Sequence, residues 1–354
     1  MVAAVALVAG LLTGCDTVAD PSRDFADQMV VRSESAEDVD KQAVYDLLLG
    51  RGLPSGVVTD EVLDRLLRRH WDDEGESVRR LFDWIGQDSR SADAATATRA
   101  GEAATVIARF VYERSGELLN VDGPQTASVG EVNPLATQGI VDALSPYIAA
   151  LAGAEYGYST PGFAVPTAGN SADLVVPRIF AVAVSGPDSA TLFVQRAGAS
   201  AADVAAEWVN GALDGRALSG LGSVYGTIHA YTYRGLELEA EDRTRDEYGD
   251  SDPDTSLRAK PRLKPWPTGL FQFGHEVAVA LEDQVGSFDV DPRYSYLRGT
   301  DGRLKSYTAL RDEGAEFLNI RADTYDIVMN YNAGELDRPF RLFWDKVLEA
   351  WQVD

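Results

Sequence analysis

The sequence predicts a mostly α-helical protein, built as a bundle-like array of many helices or as two packed helical lobes. Three observations predict this class. Apolar residues recur at three-and-four spacing in successive segments, which is the period of a helix that buries one face. Alternation of apolar and polar residues, which is typical of a half-buried strand, is scarce. No strict repeat of about 20–50 residues is visible along the chain.

The composition limits the classes of partner. Hydrophobic residues make up 45% of the 354 residues, which is enough to build a real core. The 56 acidic residues outnumber the 32 basic ones and give a formal net charge of −24. A field of this sign repels the phosphates of nucleic acids and anionic membrane surfaces. We therefore expect no nucleic-acid partner.

The chain begins with an apolar run that ends near its only cysteine. Residues 2–12 are uncharged and rich in Ala, Val and Leu. This run is shorter than the roughly 20 residues of a membrane span but fits the apolar core of a signal peptide. The next residues, Leu12-Thr13-Gly14-Cys15, resemble the lipobox of bacterial lipoproteins. The resemblance implies a lipid on Cys15, cleavage before it, and anchoring at the outer face of the cytoplasmic membrane in the cell envelope.

One feature of this leader departs from the pattern. A signal peptide carries basic residues before its apolar core, whereas Met1 is followed directly by Val and Ala. Either the true start lies upstream of Met1, or the apolar run is accidental or ends a longer membrane-spanning segment. The alternatives to the envelope are therefore a cytoplasmic or a secreted protein.

Shifts in composition divide the chain into six parts. These are a signal peptide (1–14), a polar tether (15–34), an N-terminal helical domain (35–155), a central helical region (173–242), a charged Pro-rich linker or loop (243–267) and an aromatic-rich C-terminal helical region (268–354).

Capping residues and apolar stripes place the first helices of the N-terminal domain. Ser35 with Asp38 resembles a capping pair that starts a helix ending at Gly50. Thr59 starts a second helix, and the apolar residues of 78–85 mark a third.

Two further helices complete this domain. Residues 92–119 predict one long Ala-rich helix. Asn133-Pro134 starts the next helix, which we expect Pro146 to kink because proline lacks an N–H group. Residues 153–172, rich in Gly, Ser, Thr and Pro, then predict a loop or domain boundary.

The central region is also interpreted as helical. Residues 174–184 fit either a helix or a strand, because periodicity alone does not decide for a short apolar run. Residues 199–241 predict one or two long helices. The stretch 243–267 passes from an acidic patch to a basic Pro-rich patch, which is typical of an exposed linker or a long loop.

The C-terminal part of the chain is unusually aromatic: from Trp266 onwards, 14 of the last 89 residues of the chain are Phe, Tyr or Trp, against 9% overall. One predicted helical stripe there is formed by Phe340, Phe343, Trp344, Leu348 and Trp351. Such a stripe either docks a helix on the core or forms an interaction face for a partner.

Two segments carry a resemblance to a known group of proteins. They are LLRRHWDDEGESVRRLFDWIGQDSRSAD, which ends at Asp93, and SVGEVNPLATQGIVDALSPYIAALAG, which begins at Ser128. Both resemble a helical region of large actinobacterial, often mycobacterial, proteins that are described as containing a TPR repeat region and are frequently linked to type VII secretion. The likeness covers about residues 60–230. It implies a helical fold but carries over no catalytic residue, because the group has no agreed activity.

The motifs that carry metal or nucleotide chemistry are absent or incomplete. His275-Glu276 lacks the second histidine of a zinc motif, because position 279 is Val. His70 continues an apolar helical stripe and is interpreted as a packing or capping residue. The single cysteine excludes a cysteine-based metal site. The acidic run from Asp250 to Asp254 begins like a calcium loop, but Thr255 occupies the position that requires glycine.

No catalytic residue, metal ligand or cofactor is therefore predicted, and the interpretation leans away from an enzyme. A pair of converging carboxylates cannot be located among 56 acidic residues from sequence alone. The leading hypothesis is a lipid-anchored exported protein that acts through protein–protein interaction at the cell envelope, with unspecified partners. The alternatives are a secreted effector with an activity in 268–354, and a cytoplasmic helical scaffold.

Overall fold

The structure, a computed structural model, describes residues 20–35, 39–154, 160–167, 171–214, 220–249, 258–263, 275–280, 282–283, 292–306, 309–310 and 313. Within these ranges the chain forms twelve α-helices and no strand, which confirms the mostly α class. The helices are α1 (Pro21–Ser35), α2 (Lys41–Leu48), α3 (Thr59–Arg68), α4 (Glu76–Asp88), α5 (Ala94–Glu113), α6 (Ser115–Leu119), α7 (Val129–Val132), α8 (Pro134–Leu144), α9 (Ile148–Leu151), α10 (Ala172–Ala183), α11 (Pro187–Leu213) and α12 (Gly220–Tyr248), with 3-10 helices at Ser145–Tyr147 and Pro292–Leu297.

The part of the predicted tether that the structure describes is a helix. The side chain of Asp20 accepts hydrogen bonds from the backbone N–H groups of Ser22 and Arg23, both at 3.1 Å, and so starts α1. This helix packs against α3 and α4 and buries Met29 and Val30. The tether over 21–34 is therefore wrong. The helix buries serines alongside few apolar residues, so its sequence lacks an apolar stripe.

The next helices begin close to the predicted positions. The α2 cap is Asp40, which accepts from Gln42 N and Ala43 N, instead of the predicted Ser35, the last residue of α1. Helix α3 begins at Thr59, as predicted. The long helix predicted over 92–119 is broken at Arg114 into α5 and α6, at a point where Ser and Gly, both weak helix formers, follow.

Helices α4 and α8 form the most extensively packed pair of the fold. A Cβ atom added at Gly86 of α4 would lie 2.4 Å from the carbonyl oxygen of Asp142 in α8. A Cβ atom at Gly139 of α8 would likewise lie 2.9 Å from Cα of Arg79 in α4. The two helix backbones thus touch at glycines, where any side chain would hold them apart.

The segment from Gly130 to Pro134 ties three parts of the fold together. The buried side chain of Asn133 donates to the carbonyls of Leu67 and Arg69, at 2.8 and 2.6 Å, and so holds the end of α3 against the start of α8. Pro134 occupies the first turn of α8, as predicted. The backbones of Gly130 and Gly186 are in close contact, since a Cβ atom added at Gly130 would lie 2.3 Å from the backbone nitrogen of Gly186.

The central region consists of three long helices. The apolar run 174–184 is helical and lies in α10, which packs against α12. Helix α12 continues to Tyr248 and buries Thr244, so the linker predicted to begin at 243 is wrong over its first six residues.

Pro146 lies in the 3-10 helix between α8 and α9, which agrees with the predicted kink.

The basic part of the predicted linker is docked on the helices. Arg262 donates to Glu239 of α12 at 2.9 Å and to Glu131 of α7 at 2.5 Å. Glu239 is only 3% exposed and also accepts from Arg243 at 3.0 Å. The exposed linker is therefore wrong over 261–263, which this cluster of charges holds partly buried against the helical body, whereas Arg258 and Lys260 are exposed as predicted.

The described C-terminal residues pack on the same core. Glu282 is buried and accepts hydrogen bonds from Arg298 and from the backbone N–H of Leu304, at 2.7 and 2.6 Å. A single antiparallel bridge joins Arg298 to Leu304. The buried apolar residues form one continuous cluster that extends from Ala26 to Leu310. None of the helices in the described ranges has the length and apolar character that crossing a membrane requires.

Candidate functional site

A polar cleft of about 590 Å³ opens where α4, the end of α8 with its 3-10 helix, and α11 meet. We call it the α4/α8/α11 cleft. Its inner lining includes Arg79 and Asp83 of α4, Asp142 of α8 and Tyr147 of the 3-10 helix, with Arg196 of α11 at one side. The cleft therefore combines opposite charges with an aromatic side chain.

Helix geometry and the glycine contact bring these side chains together. Arg79 and Asp83 are one turn apart on α4 and thus share a face. The approach of Gly86 to Asp142 places the second carboxylate beside that face. The side chains of Asp83 and Asp142 are 25% and 29% exposed, so both are partly removed from water.

Arg79 is held by acidic side chains on its own helix. Its guanidinium donates to Glu76 at 2.7 and 2.8 Å in a bidentate arrangement, and Nη1 lies 3.2 Å from Oδ2 of Asp83. The hydrogen bonds to Glu76 raise the pKa of Arg79, so the group stays charged. The N–H donors of Arg79 are thus largely engaged by Glu76 and Asp83.

Asp83 keeps one oxygen without a partner. Burial raises the pKa of Asp83, Arg79 opposes this rise, and the neighbouring charge of Asp142 adds to it. The Oδ1 atom is buried and has no hydrogen-bond partner among the described residues. A buried acceptor in this state costs free energy, which a donor entering the cleft would recover.

Tyr147 also has an unsatisfied polar atom. The side chain is 2% exposed and stacks on Phe163 with a centroid separation of 4.4 Å. Its hydroxyl is buried and has no hydrogen-bond partner among the described residues, and burial raises the pKa of this phenol. Buried tyrosine hydroxyls usually find a partner.

The remaining charges of the cleft lie nearer to solvent. Arg196 reaches Asp142 at 3.4 Å with its side chain 50% exposed. Arg90 and Asp203 line the cleft and are exposed. Water screens the two arginines, whereas burial raises the pKa of Asp203 and Arg90 opposes that rise.

A second depression of about 310 Å³ lies between α6, the following loop and the end of α12. Its central groups bond to each other: Asn120 donates to Asp242 at 3.1 Å, and Arg245 lies 3.5 Å from the same carboxylate.

The sequence-predicted site residues are not among those that the structure describes. Cys15 and the aromatic stripe formed by Phe340, Phe343, Trp344, Leu348 and Trp351 lie outside the described residues, as does the acidic run 250–254. Among the residues that the structure describes, no group of three or more His, Cys, Asp or Glu side chains is arranged to hold a metal ion.

Two histidines have clear surroundings. His70 was expected to pack or cap, but its side chain is 63% exposed and pairs with Asp122 at 2.9 Å, because it follows the end of α3. His275 is fully buried, and its Nε2 donates to the carbonyl of Lys305 at 2.7 Å. Neither residue lines the α4/α8/α11 cleft.

Sequence reasoning missed the cleft residues, although a signal was present. The segments that carry the family resemblance include Leu81 to Ile85 and Leu144 to Tyr147, and both border the cleft. Their spacing in the sequence gave no reason to bring them together.

Comparison with known protein families gives one match. Residues 17–84 match the TPR repeat domain, a segment that contains α1, α2, α3 and the first two turns of α4. Searches of the curated proteins and of the solved structures gave no match. The protein is thus an all-α helical array, over the described residues, with a TPR-type segment, and such repeats suggest protein–protein interaction in general. The resemblance predicted from the sequence covers about residues 60–230, so the two ranges share only residues 60–84.

Proposed function

We propose that this protein is a lipid-anchored helical protein that binds other proteins at the cell envelope. The observation that carries the proposal is the TPR repeat segment at 17–84, which is built into a larger helical array. Helical repeats of this kind present extended surfaces on which partner segments bind. The family resemblance supports an actinobacterial envelope and a link to type VII secretion.

The lipobox sequence supports the anchoring part of the proposal. Two or more acyl chains on Cys15 and on the new amino terminus would give stable attachment where one chain would not. Only residues 16–20 separate Cys15 from the start of α1 at Pro21. Five extended residues span at most about 18 Å, so the anchor would hold the helical body close to the lipid.

The TPR segment also exposes apolar side chains. Val31 of α1 and Val58, directly before α3, are 61% and 49% exposed. Isolated exposed valines are common on protein surfaces. These two positions nevertheless suit photo-crosslinking, because a partner that covers the segment would pass close to them.

The proposal is tested in an actinobacterial host with an alkyne-tagged fatty acid. We expect label on the wild-type chain and none on Cys15→Ala. A photo-crosslinking residue at position 31 or 58 should capture discrete envelope proteins, whereas one at Leu174 of α10, which is 59% exposed, serves as the control.

Three outcomes would contradict the proposal. Absence of label, with the protein in the cytosol, would refute the anchor. Labelled protein that crosslinks to nothing at positions 31 and 58 would refute partner binding by the TPR segment. Equal capture from all three positions would show only non-specific proximity.

A further inference from the structure

We infer that the α4/α8/α11 cleft binds a cationic side chain, lysine or arginine, of a partner protein. The inference rests on the proposed function, because it supplies the chemistry of one contact that a protein partner makes. It concerns a surface that lies largely beyond the matched TPR segment, since only α4 belongs to both.

The first argument is the unsatisfied oxygen of Asp83. One carboxylate oxygen is 3.2 Å from Arg79, while the other is buried without a partner among the described residues. A carboxylate only accepts hydrogen bonds, so the missing group is a donor. A charged donor gains roughly twice the free energy of a neutral one at such an acceptor.

The second argument is independent of the acidic residues. Tyr147 is 2% exposed, belongs to the lining of the same cleft, and its hydroxyl has no hydrogen-bond partner within the part of the chain that the structure describes. A hydroxyl both donates and accepts, so it can accept from a ligand cation or donate to a neighbouring carbonyl of the partner.

Three arginines line the cleft, and the two of them that lie beside Asp83 and Asp142 are paired within the protein, while Arg90 lies at its exposed side. Arg79 is bonded to Glu76 and Asp83, and Arg196 is paired with Asp142. The protein as a whole carries −24 charges, so its field attracts cationic segments and repels anionic ones. An anionic ligand would find Arg90 at the exposed side but would also meet the Asp83 oxygen that has no partner among the described residues.

The dimensions fit a side chain. A volume of about 590 Å³ falls within the range of about 300–1,000 Å³ that is common for ligand sites. A guanidinium supplies five N–H donors in one plane, enough to reach Asp83 and Asp142 together. Arginine should therefore bind more tightly than lysine.

The test uses the full chain in detergent micelles with three defined peptides. These are acetyl-Gly-Arg-Gly-amide, its lysine equivalent, and acetyl-Gly-citrulline-Gly-amide, which is a neutral isostere of the arginine peptide. Saturation-transfer NMR titration gives each Kd. We expect the arginine peptide to bind at least about tenfold more tightly than the citrulline peptide.

Three variants locate the binding. Asp83→Asn keeps the shape of the side chain and should weaken arginine binding at least about tenfold, and Tyr147→Phe should weaken it several-fold. Asp72→Asn removes one charge from an exposed residue outside the cleft and should leave Kd unchanged. Circular dichroism checks that each variant folds. If Asp83→Asn fails to fold, the Kd of the Tyr147→Phe variant decides the test.

Several results would overturn the inference. These are no binding of either cationic peptide, equal binding of the citrulline peptide, and unchanged binding in a folded Asp83→Asn or Tyr147→Phe variant. Crosslinking at positions 31 and 58 does not use the cleft. If the wild-type chain crosslinks to partners at these positions but binds no peptide, only the inference of a cation site is refuted. If no crosslinking occurs at these positions, the proposed function is refuted.

Discussion

The substitution Gly86→Ala tests whether the backbone contact between α4 and α8 builds the cleft. The added Cβ atom would lie 2.4 Å from the carbonyl oxygen of Asp142, about 1 Å inside ordinary contact. This oxygen belongs to a helix backbone and cannot rotate away. The two helices must therefore separate along a face that buries Phe82 and Ile85.

The magnitude follows from two opposing terms. Alanine has a helix propensity about 1 kcal/mol better than that of glycine, which favours the variant. Overpacking a well-filled interface costs typically about 1–3 kcal/mol, and more where backbone must move. We expect a net loss of about 2 kcal/mol, which lowers Tm by roughly 3 °C for a chain of this size.

The assay is urea denaturation followed by circular dichroism, beside the control Gly116→Ala. Gly116 is an exposed residue of α6, and a Cβ atom there would meet nothing within 4 Å. The control should be neutral or slightly more stable. A Gly86→Ala variant as stable as the wild type would refute the reasoning that close backbone contact fixes the cleft.

Three further predictions concern stability. Burial of its ring lowers the pKa of His229 to about 4. The contribution of this residue to stability is therefore complete above about pH 6.5 and falls by up to about 3 kcal/mol towards pH 4. The pH dependence of the urea midpoint across that window should be weaker in His229→Gln but not in the exposed His70→Gln. Glu239→Gln should cost about 2 kcal/mol by urea denaturation, since it leaves Arg262 with a neutral partner at a buried site, and an unchanged midpoint would contradict this. Ser128→Ala should lower stability by about 1 kcal/mol in thermal unfolding because it removes the hydroxyl that belongs to the capping box of α7 and that donates to the carbonyl of Ser185 at 3.0 Å, and an unchanged Tm would show that this hydroxyl is dispensable.

Periodicity predicted the helices that bury broad apolar faces. Helix α3 illustrates this, because Val62, Leu63, Leu66 and Leu67 are all buried and appear in the sequence at helical spacing. Helix α1 was missed for the opposite reason. It buries Ser22 and Ser33 beside its few apolar residues, and small polar side chains leave no periodic signal. Its helical character depends on packing against α3 and α4 more than on its own sequence.

The cleft could not be predicted because it depends on distant segments meeting. Asp83 and Asp142 are two of 56 acidic residues, and nothing in their local sequence distinguishes them. What brings them together is the crossing of α4 and α8 at Gly86 and Gly139. Glycines within a helix indicate close approach, but the sequence does not say which helix approaches. The unpaired hydroxyl of Tyr147 likewise exists only in the assembled fold.

The matched segment ends at residue 84, inside α4, and this position limits how the protein can be divided into fragments that fold. Helix α4 continues to Asp88 and packs on α5 and α8, both of which lie outside the match. A fragment limited to 17–84 would leave the apolar side chains of Leu81 and Phe82 in water and would tend to aggregate. The stretch shared with other proteins is thus shorter than the stretch that folds, and α5 with α8 serves as the cap that a terminal repeat requires.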